Sequence, residues 1–195
     1  MQRGRLIYLM GASGAGKDSV IDAARQGLAE RSIQVVRRVI TRSAEASGEH
    51  AVGVSRKAFE QRIDEGVFAL HWSANGLLYG IPADIEHALA RGQWVLVNGS
   101  RGYLPDALGK YPDLLAVLVT VDNDVLRSRL TARGRETPEE IEARLARNER
   151  LHHTAHAWQG EGLSLGTVDN STTLQAAALR LLWLVDQARV SATGD

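Results

Sequence analysis

Gly11-Ala12-Ser13-Gly14-Ala15-Gly16-Lys17 has the spacing G-x-x-x-x-G-K. An apolar run precedes it and a helix-period stretch follows it, the contexts that make this spacing a phosphate-binding P-loop. The glycines let the backbone curl until successive N–H groups point inward at phosphate oxygens. The helix starting near Lys17 adds its positive end, and the Lys17 ammonium supplies a mobile charge for β- and γ-phosphates. The nucleotide-binding set is then Gly11, Ala12, Ser13, Gly14, Ala15, Gly16, Lys17, Asp18 and Ser19. The competing reading is a glycine-rich turn that merely closes a strand–helix unit. Spacing, lysine and position together favour the cradle.

One position departs from the motif. A P-loop lysine is normally followed by Ser or Thr, whose hydroxyl reaches Mg²⁺. Here Asp18 stands in that place and Ser19 follows. A carboxylate beside phosphates repels them unless a cation intervenes. Either Asp18 faces Mg²⁺, or it points away and Ser19 or water does the work. Asp18 and Ser19 are therefore both candidate metal ligands.

Further along, Asn98, Ser100 and Arg101 follow an apolar run at its carboxyl end. Open α/β sheets bind ligands at that edge, so a substrate role competes with a turn role. Ser100 is not a hydrolase nucleophile, because G-x-S-x-G needs Gly where Asn98 stands. His152 and His156 have i, i+4 spacing but lack the Glu of H-E-x-x-H, which favours a surface helix over a zinc site. Arg129, Arg133 and Arg144 flank a charged break, with Glu136, Glu139, Glu140 and Glu142 available for surface ion pairs.

The elements that must position these residues alternate between two periods. Residues 5–10 read as a buried strand and 18–31 as a helix. Residues 33–40 read as one Val/Ile-rich strand, and 41–53 as a polar loop. Ser55 can cap a short helix through Asp64, closed by Gly66. A strand at 67–73 runs into an Asn75-Gly76 turn. Pro82 suits the first turn of a helix ending at Gly92. Apolar strands follow at 94–97 and 114–121, then helices at 122–131 and 138–157 around a charged break at 133–138. Glu140 and Arg144 are spaced for an i, i+4 pair. A last strand at 163–168 and a last helix at 172–189 complete the chain, with the final six residues expected to fray. Strands alternating with helices imply a parallel sheet covered on both faces.

Composition bounds the answer. At about 150 residues per domain, 195 residues make one domain with a small insertion at most. The 23 basic residues balance 23 acidic ones, which argues against a general nucleic-acid binder without excluding one anionic pocket. Only three of the basic residues are lysines, Lys17, Lys57 and Lys110, so Lys17 is stronger evidence than any single arginine. There is no cysteine, hence no disulfide, thiolate-bound zinc, Fe–S cluster or thiol nucleophile. No segment approaches the roughly 18 apolar residues of a membrane span. The apolar stretch behind Arg3 and Arg5 is shorter than a signal peptide requires. A cytoplasmic location is the expectation.

The P-loop, Thr41-Arg42 with Gly48-Glu49, Tyr79-Gly80, and Arg129-Leu130, Arg133-Gly134 and Arg144-Leu145 occur in the order seen in guanylate kinase-like proteins, and the resemblance covers nearly the whole chain. Within that superfamily, Gly-Ala-Gly-Lys-Asp-Ser at 14–19, Arg38-Val39-Ile40-Thr41-Arg42 and Val97-Asn98-Gly99-Ser100-Arg101 resemble the ribose 1,5-bisphosphate phosphokinase family of phosphonate degradation. The resemblance implies transfer of the ATP γ-phosphoryl group to the 1-phosphate of ribose 1,5-bisphosphate, giving 5-phosphoribosyl 1-diphosphate. The implied fold is an α/β P-loop kinase with a mainly parallel central sheet and helices on both faces. A single domain, 1–195, would carry an acceptor-binding lobe at about 41–92 and an arginine-rich lid at about 129–147.

Departures from true guanylate kinases point the same way. Aligned without gaps from Phe68 to Gly80, the acid that reads guanine falls on Leu70, and the phosphate-binding tyrosine falls near Ala51. A second arginine expected shortly after Arg42 is missing, and Glu45 lies nearby. A site without a base reader suits a sugar bisphosphate. The resemblance assigns Arg42 to the acceptor phosphate, against a solvated loop arginine, and Glu49 to a sugar hydroxyl, against a turn cap. It adds Tyr79 beside Asn98, Ser100 and Arg101 as substrate-binding. Lys17, Arg133, Arg144 and Arg129 become the catalytic set, the arginines closing over the transferring phosphoryl group. Val168-Asp169-Asn170 resembles the adenine-contacting stretch, with a strand-end turn as the alternative.

The cofactors implied are ATP and Mg²⁺, and the partner a small phosphorylated acceptor. No nucleic acid or membrane partner is expected, and a homodimer is left open. The alternatives are a guanylate kinase or other nucleoside monophosphate kinase, and a non-catalytic guanylate kinase-like binding module. Intact Gly16-Lys17 counts against the module.

Overall fold

A computed structural model describes residues 3–42, 51–134, 136–160 and 165–193. In chain order the elements are β1 (Leu6–Gly11), α1 (Lys17–Glu30), β2 (Gln34–Val35), β3 (Arg38–Ile40), β4 (Ala51–Gly53), α2 (Arg56–Asp64), β5 (Phe68–Ala74), β6 (Leu77–Pro82), α3 (Ile85–Ala90) and β7 (Val95–Asn98). A 3₁₀ turn (Arg101–Tyr103) then leads to α4 (Leu104–Lys110), β8 (Leu115–Thr120), α5 (Asn123–Arg133), α6 (Pro138–Gly160), β9 (Leu165–Asp169) and α7 (Leu174–Thr193). One five-stranded sheet has the order β2-β7-β1-β8-β9, and a four-stranded sheet the order β4-β3-β6-β5. The chain divides into two compact units, Met1–Tyr8 with Leu28–Leu114, and Leu9–Gly27 with Leu115–Asp195.

In the first unit β2 runs parallel to β7. Every residue of β7 is buried, which is why Val95-Leu96-Val97 reads as an unbroken apolar run rather than an alternation. The four-stranded sheet is built on the β5–β6 hairpin. Asn75 and Gly76 both take positive φ, 51° and 77°, the turn geometry that matches strand twist. β3 pairs antiparallel with β6 and parallel with β4. Ser55 caps α2, its side chain accepting from the Ala58 N–H, as its position before the helix predicts.

Three expectations in this unit need correction. The strand at 33–40 is two strands in two sheets. Residues 34–36 pair with β7, the Val36 N–H reaching the Leu96 carbonyl at 3.0 Å, whereas 38–40 pair with β4 and β6. A run of β-branched residues signals strand but cannot say which sheet it joins. Pro82 ends β6, opposite Phe68, instead of opening a helix. A proline is tolerated at a strand end as well as a helix start, and α3 waits until Ile85. The expected loop at 41–53 contains β4 at its far end; residues 43–50 lie outside the described residues.

In the second unit β8 and β9 are parallel, Ala116 to Thr120 in register with Leu165 to Asp169. α5 ends where Gly134 adopts φ 64° and its N–H reaches the Leu130 and Thr131 carbonyls. α6 opens with a reciprocal cap. The Glu140 carboxylate accepts from the Thr137 N–H at 2.8 Å, and Thr137 Oγ1 from the Glu140 N–H at 3.3 Å. That arrangement occupies Glu140 and overrides the expected pairing with Arg144. Buried Asn148 on α6 donates to the Val121 carbonyl and to Asn123 Oδ1, both at 2.9 Å, and so ties α6 to the start of α5. α7 runs to Thr193, beyond the expected end at 189 and into the stretch expected to fray. No helix among the described residues is long and apolar enough to cross a membrane.

Candidate active site

The donor-side candidates lie in the second unit. β1 delivers the chain to Gly11 at its end, and α1 starts at Lys17, so residues 12–16 are the curl between them. The Lys17 ammonium donates to the carbonyls of Gly11 at 3.1 Å and Ala12 at 3.0 Å. Its charge is thus held within the curl, as a phosphate cradle requires. Gly16 has φ 83°, a backbone conformation that any side chain would strain. A Cβ there would also lie 2.5 Å from Asn170 Nδ2, so spacing and sterics demand the same residue. Asp18 occupies the first turn of α1, where the helix dipole favours an acid. Ser19 beside it is exposed.

Arg133 and Arg144 of the charged break share Glu136, and Arg144 reaches this loop. Arg144 Nη1 donates to Ser13 Oγ at 2.5 Å, and Arg144 Nη2 lies 3.0 Å from Glu136 Oε1. Arg133 pairs with the same Glu136 oxygen. The Glu136 side chain is only 7% exposed, so this is a sheltered pair, unlike the exposed Arg127–Glu142 bridge between α5 and α6, which contributes little. Arg129 Nη2 donates to the Asn170 carbonyl at 2.8 Å, and its Nη1 lies 3.8 Å from where a Gly16 Cβ would stand. The sequence offers Glu136 only as a surface ion-pair partner. Its i+3 spacing from Arg133 was the available signal.

Could this loop hold a divalent ion? Asp18 and Ser19 offer one carboxylate and one hydroxyl, both oxygen donors. Among the described residues no group of three or more His, Cys, Asp or Glu is placed to hold a metal. This is too few ligands for an all-protein cage. It fits an ion that keeps waters and takes the rest of its shell from substrate phosphates, as Mg²⁺ does.

The acceptor-side candidates lie in the first unit. Arg42 follows β3 after Thr41, and Tyr79 on β6 pairs with Ile40 on β3. The Tyr79 ring stacks on Trp72, its cross-strand partner, at 5.6 Å and 7°. The Arg38 guanidinium lies 5.2 Å from the Tyr79 ring centroid, and Tyr103 stacks on Trp72 at 5.6 Å. The sequence offers Arg38 only as part of a motif and Trp72 and Tyr103 not at all, although Trp72 and Tyr79 stand symmetrically about the Asn75-Gly76 turn. Glu49 lies outside the described residues, as does the Gly48 beside it.

Asn98 closes β7 and is buried, 5% exposed. Ser100 precedes the 3₁₀ turn that contains Arg101. Tyr8 holds this turn from β1. Its hydroxyl donates to the Ser100 carbonyl at 2.8 Å and accepts from the Ser100 N–H at 2.9 Å. Burial pushes the Tyr8 hydroxyl pKa up, so it stays protonated and able to donate. A Cβ on Gly99 would overlap the Tyr8 ring, so glycine lets the chain cross that face. Leu70, where a guanine-reading acid would fall, is 1% exposed in the interior of β5. Ala51, in place of a phosphate-binding tyrosine, starts β4.

No family model matches the chain. It is 56% identical over 182 residues to ribose 1,5-bisphosphate phosphokinase PhnN of Azotobacter vinelandii, covering 93% of this chain and 96% of that protein. It is 57% identical over 183 residues to the protein of the same name from Pseudomonas fluorescens, covering 94% and 95%. Among solved structures, guanylate kinase from Anaplasma phagocytophilum superposes with a TM-score of 0.66 at 15% identity, covering 97% of this chain and 87% of that one. At that identity the likeness shows the fold, an α/β P-loop kinase.

Proposed function

The chain belongs to the ribose 1,5-bisphosphate phosphokinase family, and from that premise we propose that it transfers the γ-phosphoryl group of ATP to the 1-phosphate of ribose 1,5-bisphosphate. The products are 5-phosphoribosyl 1-diphosphate and ADP. The observation that carries this reading is identity above one half along nearly the full length of relatives bearing that name. The bond between the γ-phosphorus and its β-bridging oxygen breaks as an oxygen of the acceptor phosphate bonds to that phosphorus.

The acceptor phosphate has a second pKa near 6, so it is already largely ionised at neutral pH. No strong general base is needed. The difficulty is repulsion between two polyanions that must approach in line. The P-loop N–H groups and Lys17 hold the donor phosphates. Arg144, placed on Ser13, and Arg133 beside it supply charge to the transferring group, with Arg129, beside Gly16, a further candidate. Asp18 or Ser19 would hold Mg²⁺, which when bound offsets charge on the β- and γ-oxygens. Arg42, Tyr79 and Glu49, in a lobe at about 41–92, form the acceptor-binding set together with Asn98, Ser100 and Arg101 beyond it. Residues 129–147 serve as the lid, and its closure excludes the water that would otherwise hydrolyse ATP.

A coupled ADP-release assay with ribose 1,5-bisphosphate and with GMP tests the reading. Leu70 in the core offers guanine no acceptor. Loss of such a reader costs on the order of 10⁴-fold in selectivity, so GMP should be a poor substrate. Equal kcat/KM for the two acceptors would overturn the acceptor assignment.

A further inference from the structure

Asn170 follows β9 directly, in the stretch that sequence resemblance connects with adenine. Its side chain reaches the P-loop instead: Asn170 Nδ2 donates to the Ala15 carbonyl at 2.7 Å, in a residue 1% exposed. When the N–H groups of a loop turn inward on a ligand, the carbonyls turn outward, and one that is buried needs a donor. Asn170 is that donor. Two further features fix it in place. Arg129 Nη2 donates to the Asn170 main-chain carbonyl at 2.8 Å, and the absent Cβ of Gly16 leaves the space that Asn170 Nδ2 fills. The glycine spacing and this carboxamide are two halves of one fit, contributed from opposite ends of the chain.

We infer that Asn170 is a positioning residue for phosphate binding: it holds the Ala15–Gly16–Lys17 peptide units so that their N–H groups face the phosphates, and Arg129 braces it from behind. The inference rests on reading Gly11–Lys17 as the phosphate cradle. It differs from an adenine-contacting role in what it predicts for a ligand that has phosphates and no base.

The test uses the full chain and inorganic tripolyphosphate as probe, with Asn170→Ala and Asn170→Ser as variants. In each folded variant the affinity for tripolyphosphate should fall about tenfold, the scale of one buried hydrogen bond left unmade. The KM for ATP should rise by a similar factor. The KM for ribose 1,5-bisphosphate and the preference for ATP over GTP should not move. Unchanged tripolyphosphate affinity in either folded variant overturns the inference, even if thermal stability drops. A changed ATP-to-GTP preference with tripolyphosphate binding intact assigns Asn170 to the base and overturns it too. Failure of the unsubstituted protein to bind tripolyphosphate would remove the cradle reading itself, a result distinguishable from the others.

Discussion

The P-loop is braced by residues far away in the sequence, whereas the aromatic column of the other unit is centred on a pair close in sequence. Ala15 is held by Asn170 and Ser13 by Arg144. Trp72 and Tyr79 face each other across a two-residue turn, and Arg38 comes from the strand beside them. The two regions also present different chemistry. The loop offers backbone N–H groups and one ammonium, a recognition mode that suits any polyphosphate. The column offers rings and one guanidinium group, so it presents side chains rather than backbone. Substituting a side chain should therefore damage the donor side most where that side chain is itself a charge, and should alter the acceptor side selectively.

Lys17 gives the largest effect. Lys17→Ala should lower kcat by on the order of 10³-fold or more, since it removes a fixed charge from the transition state. The fold should persist, because Lys17 contacts loop carbonyls rather than core. Steady-state turnover and a melting curve check both halves. Near-normal turnover would erase the distinction between the two regions.

Arg42→Ala comes next. It should raise the KM for ribose 1,5-bisphosphate about tenfold, the scale of a charged hydrogen bond, and leave the KM for ATP nearly unchanged. Equal losses for both substrates would move Arg42 out of the acceptor site.

The smallest effect separates Asp18 from Ser19. If the carboxylate reaches the metal, Asp18→Ala should raise the Mg²⁺ concentration for half-maximal rate several-fold, with Ser19→Ala nearly silent. The opposite pattern makes the hydroxyl the ligand. Asp18 is then only a first-turn acid favoured by the helix dipole. A titration of rate against Mg²⁺ at saturating ATP decides it.

The same contrast explains what could be read beforehand. The P-loop was legible because its signal is local: seven residues with fixed spacing between a strand and a helix. Ser55 as a cap and Asn75-Gly76 as a turn were legible for the same reason. Asn170 was not, because a carboxamide that serves a carbonyl at the other end of the chain leaves no local pattern. Glu136 was seen as one surface acid among four, since burial cannot be read from spacing. Residues 33–40 were one strand in sequence and two in space, because the change of partner after Val36 is decided by what lies beside each half. Glu140 was assigned to Arg144 by a helix rule that the helix's own first turn overrode.

Glu136 has one more consequence. Two guanidinium groups and one carboxylate leave a single net positive charge beside Ser13. A polyphosphate that bound these arginines would do so by ion exchange, since it would compete with the Glu136 carboxylate already paired to both. An exchanger responds more weakly to bulk ionic strength than a pair of bare cations does, because its charges are already screened from within. It also resists casual anions, since chloride or a lone phosphate must compete with a counter-ion that is covalently tethered and never diffuses away.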